Sequence, residues 1–231
     1  MTGYQEMKER VWQANMELSR QGLAKHNFGN ASQIDERREF IAIKPSGVPY
    51  TVLKPENIVL VRLDGSIMEG ELRPSSDTKT HLMLYKNFPD IGGVVHTHST
   101  YAVAWAQARR PIPILGTTHA DHLNLDVPCT EVMSDEMIRG DYEEETGHQI
   151  LNCFKNLSYN DIQMVLVAGH GPFTWGPTVE KAVYNSAVLE ELAQMAYLTC
   201  QINPQVPRLE KALVRKHYER KHGPNAYYGQ K

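Results

Sequence analysis

Two histidines two positions apart close the apolar run Ile91-Gly92-Gly93-Val94-Val95-His96-Thr97-His98-Ser99. The run reads as a buried β-strand. Successive strand side chains point to opposite faces, so His96 and His98 are expected on one side, with Val95 and Thr97 on the other. Two imidazoles on one face at a strand exit are half of a metal site. A second apolar strand, from Gln163 to Ala168, leaves at His170 between Gly169 and Gly171 and repeats the pattern. Each ring taken alone could be a hydrogen-bonded core histidine. Three at strand exits, with a carboxylate near them, suit a borderline divalent ion such as zinc, held with one position open. Such an ion polarises a carbonyl or stabilises an enediolate.

The same chain offers clustered anion donors without a Walker motif. Gly29-Asn30 and Ser46-Gly47 are ordinary turn pairs, yet glycine lets the main chain approach an anion closely. Lys44 stands beside the second pair. Ser75-Ser76-Asp77 precedes a helical pattern and reads as a capped helix start, which is also a ready anion site. Asp77 could instead turn its carboxylate toward the histidine strand. Farther on, Gly116-Thr117-Thr118-His119-Ala120-Asp121-His122 reads as a polar loop between apolar segments. Polar loops on a rigid scaffold commonly carry function. His119, Asp121 and His122 are each eligible as ligand or acid/base group, and periodicity does not choose between them.

The elements that must position these residues follow from hydrophobic spacing. Met7, Val11, Ala14 and Leu18 make one helical stripe ended by Gly22. Residues 40–43, 57–63 and 66–69 read as strands, with Asp64-Gly65 as a hairpin turn. Ile112-Pro113-Ile114-Leu115 is strand-like. Helices are expected over 99–108, 134–156, 178–201 and 209–222, and the tail ends in Ala226-Tyr227-Tyr228-Gly229-Gln230-Lys231. Adjacent tyrosines on a chain end suggest docking, with a neighbouring subunit as one candidate. No repeat or linker interrupts the pattern, so residues 1–231 are read as a single catalytic domain.

Bulk properties narrow the function. The 231 residues are 41% hydrophobic and 22% charged, with formal net charge −3. That charge argues against a general nucleic-acid binder. No apolar run reaches the roughly 18 residues of a membrane span, and the N-terminus turns amphipathic without a signal-peptide core. Three scattered cysteines fit a reducing compartment, with the cytoplasm as the expected location, and do not fit a thiolate zinc site.

Gly29-Asn30, Lys44-Pro45-Ser46-Gly47, Pro74-Ser75-Ser76-Asp77, His96-Thr97-His98-Ser99, Gly116 to Asp121, His170-Gly171-Pro172-Phe173, Lys216-His217-Tyr218 and Tyr227-Tyr228-Gly229-Gln230 occur in order. Together they closely resemble the L-ribulose-5-phosphate 4-epimerases of the class II aldolase/adducin family. The resemblance implies a three-layer α/β/α fold with a central, largely antiparallel sheet. It also implies a homotetramer with its sites at subunit interfaces. Carried over by position, it gives Asp77, His96, His98 and His170 as ligands of one zinc (or manganese) ion per subunit. Gly29, Asn30, Ser46, Gly47, Ser75 and Ser76 become phosphate contacts, and Asp121 and Tyr228 the acid/base pair, with Lys44, His217 and Arg220 nearby. The implied reaction interconverts L-ribulose 5-phosphate and D-xylulose 5-phosphate by retro-aldol and aldol steps at C3–C4. Phe28 and His122-Leu123 depart from the family pattern and put substrate preference in question. The carboxylate after the serine pair is Asp, where aldolase relatives carry Glu, which favours the epimerase. The alternatives are a class II sugar-phosphate aldolase, a non-catalytic adducin-like binding module and, with no motif behind it, a metallohydrolase.

Overall fold

Alternation along the strands builds two cores on one sheet. The structure, a computed structural model, describes residues 3–224, 226, 227 and 229. Seven strands, β1 (Asn30–Ile34), β2 (Phe40–Ile43), β3 (Val59–Arg62), β4 (Ile67–Glu69), β5 (Gly93–His96), β6 (Met164–Val167) and β7 (Gly171–Gly176), form one sheet. Its order is β4-β3-β2-β1-β5-β7-β6, and every pairing is antiparallel. Phe40 and Ala42 of β2, Leu60 of β3 and Val95 of β5 enter one core, while Ile41, Ile43, Val59, Val61 and Val94 enter the other. That is the period-two pattern of a sheet covered on both faces.

Helix α1 (Gly3–Arg20) lays Met7, Val11, Ala14 and Leu18 on the first face. Helices α2 (Thr78–Asn87), α3 (Thr100–Gln107) and α6 (Tyr142–Cys153) cover the second. The 24-residue α7 (Val179–Ile202) gives Val179 and Ala182 to the first core and Leu189 and Ala193 to the second. It therefore carries apolar residues around its circumference and binds both layers together. The result is the expected three-layer α/β/α arrangement. Gly93 permits it locally, because a Cβ there would lie 2.3 Å from the Cα of Val179.

Several expectations need correction. The expected polar loop contains a short helix, α4 (Thr117–Ala120). The expected helix over 134–156 is two, α5 (Asp135–Arg139) and α6, because Asp141 starts a new helix by capping the Glu144 N–H. Ile112–Leu115 forms no strand and makes only a single bridge, from Ile112 to Val127, since Pro111 and Pro113 remove ladder donors on either side. The last helix, α8 (Lys211–His222), has no buried residue. No described helix is long and apolar enough to cross a membrane.

Candidate metal and phosphate site

β5 ends at His96, so His98 lies beyond the strand rather than on its face. The rings converge all the same. Nε2 of His96 and Nε2 of His98 are 3.1 Å apart, and with His170 they offer three ring nitrogens that all lie within 4.8 Å of one another. Two imidazole nitrogens on a tetrahedral zinc, each bonded at 2.0–2.1 Å, would stand about 3.3 Å apart. His96 Nδ1 donates to the Pro172 carbonyl at 2.9 Å. A carbonyl can only accept, so this bond puts the ring proton on Nδ1 and leaves Nε2 as a lone pair aimed at its neighbours, the usual support of a metal-ligating histidine. Phe173 stacks on the His96 ring at 4.3 Å between centroids and fixes its plane. His170 enters from the turn between β6 and β7, and its Nδ1 is buried without a hydrogen-bond partner among the described residues.

Burial, reinforced by His96, pushes His170 down to about 4 and lowers His98 as well. Neutral imidazoles at neutral pH are the form that binds a cation. The donor set, the tautomer and the orphaned nitrogen all fit a divalent ion.

Asn30 joins this centre to the anion donors. It is the β1 register partner of His96 and is buried. Its Nδ2 donates to Asp77 Oδ2 at 2.7 Å and to Ser75 Oγ at 3.0 Å, and its Oδ1 has no partner among the described residues. Asp77 sits at the N-cap of α2 but makes no side-chain capping bond there. Its carboxylate is turned to Asn30 instead and stands outside the group of three histidines. Burial works to raise Asp77, but His96, His81 and the Asn30 bond outweigh it and hold the carboxyl low.

A cavity of about 310 Å³ is lined by Gly29, Asn30, Ser46, Gly47, Ser75, Ser76, Asp77 and His98, with Lys44 and Phe28 on its wall. Every residue read as a phosphate contact therefore meets in one place. Gly29 is required there. Its φ is +76°, and a Cβ would lie 2.7 Å from the His96 carbonyl, a contact and a conformation that only glycine tolerates. Lys44 is 1% exposed. Its Nζ reaches the Asn27 and Pro45 carbonyls only at 3.5 and 3.4 Å and lies over the Tyr50 ring. Burial lowers it to about 8. A buried cation with such long contacts is poised for an anion.

The class II aldolase and adducin N-terminal domain family matches residues 9–197. The chain belongs to that family. Among solved structures, an L-fuculose 1-phosphate aldolase is similar at 25% identity, over 93% of this chain and 95% of that one, with TM-score 0.75. YgbL from Escherichia coli, described as a candidate aldolase/epimerase/decarboxylase, is 23% identical over 92% and 98%, with TM-score 0.72. L-fuculose-1-phosphate aldolase from Thermus thermophilus is 23% identical over 88% and 98%, with TM-score 0.67. At these identities the latter two speak for the class II aldolase fold alone.

The remaining expected site residues of this class II aldolase relative lie elsewhere or cannot be placed. Asp121 does not line the cavity. Its carboxylate accepts from His217 Nδ1 at 2.9 Å and from Arg220 Nε and Nη2 at 3.0 and 2.7 Å, with Lys221 Nζ at 3.7 Å. Burial works to raise it, and the bonds from Arg220 and His217 prevail and hold it low. Tyr228 lies outside the described residues. Of the alternatives left open around Asp121, His119 is buried with Nε2 donating to the Leu125 carbonyl, a core role, while His122 stands near Tyr184. His81 escaped the sequence reading. It is fully buried one turn after Asp77, with Nδ1 on Ser32 Oγ at 2.7 Å, and burial drives it down to about 3. Its spacing of four from Asp77 was the available signal.

Proposed function

We propose that this class II aldolase relative is a metal-dependent epimerase that interconverts L-ribulose 5-phosphate and D-xylulose 5-phosphate. One observation carries the reading. His98 belongs both to the three-histidine group and to the lining of the anion cavity. A phosphorylated ketose bound there would have its phosphate in the cradle and its oxygenated carbons at the histidines. His96, His98 and His170, with Asp77 beside them, would hold a divalent cation, which would supply Lewis-acid stabilisation of the negative charge that develops as C3–C4 breaks.

The chain's own residues do the rest. Ser46, Ser75, Ser76, the Gly29 and Gly47 backbone and Lys44 hold the phosphate, so the two-carbon phosphorylated aldehyde stays bound while its other carbonyl face turns toward the three-carbon fragment. Asn30 holds Asp77 and Ser75 together at the edge of the cavity. In this reading Asp121 and Tyr228 reach the cavity from a neighbouring copy in a homotetramer. One takes the C4 hydroxyl proton as the bond breaks, and the other returns a proton to the C4 oxygen as the bond re-forms on the opposite face. The ion partners of Asp121 keep it in the charged form that a proton acceptor needs, and at the same time make it a weaker base.

Asp77 supports epimerisation over aldol cleavage. It is shorter than the glutamate of aldolases and already accepts from Asn30, so it is poorly free to deliver the proton that the enediolate carbon must take up before that fragment can depart. The deciding experiment incubates metal-replete protein with L-ribulose 5-phosphate. Epimerisation yields D-xylulose 5-phosphate with no aldehyde in solution. Accumulation of glycolaldehyde phosphate would place the chain with the aldolases, and no turnover together with no bound metal would favour the adducin-like binding module.

A further inference from the structure

His98 is the one member of the histidine group carried on the three-residue link between β5 and α3 rather than on or between strand ends. β5 stops at His96 and α3 starts at Thr100. Among the described residues the ring nitrogen of His98 is hydrogen-bonded to His96 alone, and beyond ring contacts with Phe28 and His170 its placement depends on the backbone of that link. Ser99 occupies the N-cap of α3 but makes no side-chain capping bond. Its hydroxyl takes the Thr97 Oγ1 hydrogen at 3.3 Å instead.

The first-turn amides are claimed from far along the chain. Tyr101 N–H donates to Glu190 Oε1 at 2.8 Å, and Ala102 N–H donates to Glu190 Oε2 at 2.9 Å. A capping serine can accept one such amide. A carboxylate accepts two, and its charge complements the positive end of the helix. Glu190 lies in the middle of α7, which packs on β5, β7 and α3. One turn later Trp105 Nε1 donates to the α7 carbonyl of Ala193 at 2.9 Å. The start of α3 is thus referenced to a long rigid helix rather than to its own loop.

We propose that Glu190 is a positioning residue for the metal site, gripping the first turn of α3 and so fixing the end of the link that aims His98 at its two partners. This rests on the reading of the three histidines as a metal centre. Removing the carboxylate would strand two amides and free that link, while His96 would stay on β5 and His170 in the turn between β6 and β7.

The test measures metal affinity directly. Wild type, Glu190→Ala, Glu190→Gln and Glu190→Asp are stripped of metal, titrated with Co²⁺ and competed with Zn²⁺, and the metal-free proteins are melted in parallel. Glu190→Ala is expected to weaken affinity by about tenfold or more, in the range seen for groups that orient metal ligands. Glu190→Gln, which keeps one of the two accepting oxygens, recovers only part of it. A role confined to stability would lower the melting temperature and leave the affinity of the folded protein unchanged. Wild-type affinity in folded Glu190→Ala overturns the proposal. Should that variant not fold, wild-type affinity in Glu190→Asp, whose shorter chain falls short of the amides, overturns it equally. A wild-type protein that takes up no metal would instead sink the metal-centre reading.

Discussion

The histidine and phosphate region and the Asp121 region are held by opposite physics. The first is placed by the sheet. Asn30, His96 and Phe173 stand side by side across β1, β5 and β7, with buried packing behind them and neutral hydrogen bonds between them. The second is placed by charge. α8 has no buried residue, meets the rest of the chain chiefly through α4, and engages one carboxylate with His217, Arg220 and Lys221. Packing supplies rigidity that survives salt and pH, whereas near-surface ion pairs give up to about 1 kcal/mol each and are screened. A site that must hold reacting atoms within a fraction of an ångström belongs on the first kind of support. A segment that must dock against something else can use the second.

The largest expected effect breaks the packed region. His98→Ala should lose bound metal and cut epimerisation by about a thousandfold or more, since the ion's contribution is several kcal/mol. Metal analysis beside the assay checks both. Full activity in metal-free His98→Ala protein would end the assignment. Tyr228→Phe should keep its metal and lose about 10²-fold in turnover, the scale of general acid–base catalysis; an unchanged kcat would remove that residue from the proposed chemistry.

Lys44→Met probes the cradle, with KM expected to rise about tenfold, as for a lost charged hydrogen bond. In wild type, affinity for inorganic phosphate should fall as pH rises through about 8 and Lys44 deprotonates, and Lys44→Met should lack that fall. The sign for stability is the reverse. Lys44 binds its proton more weakly in the folded chain, so without anion its contribution to stability rises with pH between about 8 and the unfolded value of about 10.4.

The smallest effect on stability, as distinct from turnover, falls on the charge-held region. Asp121→Asn should leave the thermal transition of the core within about 1 kcal/mol and raise protease cleavage in α8. The same release is expected in wild type on acidification. The folded Asp121 pKa is lowered, so its contribution is present above the unfolded value of about 3.9 and is lost as pH falls through the folded one. Cleavage rates that do not move with salt, pH or the substitution would show that α8 is held by packing after all.

Much of this was legible in the order of residues, because strands and helices announce themselves by local period. The alternation around Val94 and Val95, the stripe from Met7 to Leu18 and the repeated strand-then-histidine exits are near-neighbour patterns. So are the cradle motifs, whose glycines and serines are set by turn and cap chemistry within a few positions. What reached beyond a few residues was not legible. The sequence put His96 and His98 on one strand face, yet the strand stops at His96 and the second ring comes from the link that follows it. It left Asp77 open between a helix cap and a carboxylate turned toward the histidine strand, and only β1 lying beside β5 brings Asn30 within reach of it. It said nothing of Glu190, because the amides it serves lie on another helix, far back along the chain. Local conformation is governed by adjacent side chains and backbone sterics, which the sequence states directly. Convergence of distant groups depends on how packed layers settle against one another, and that was decided only in the folded chain.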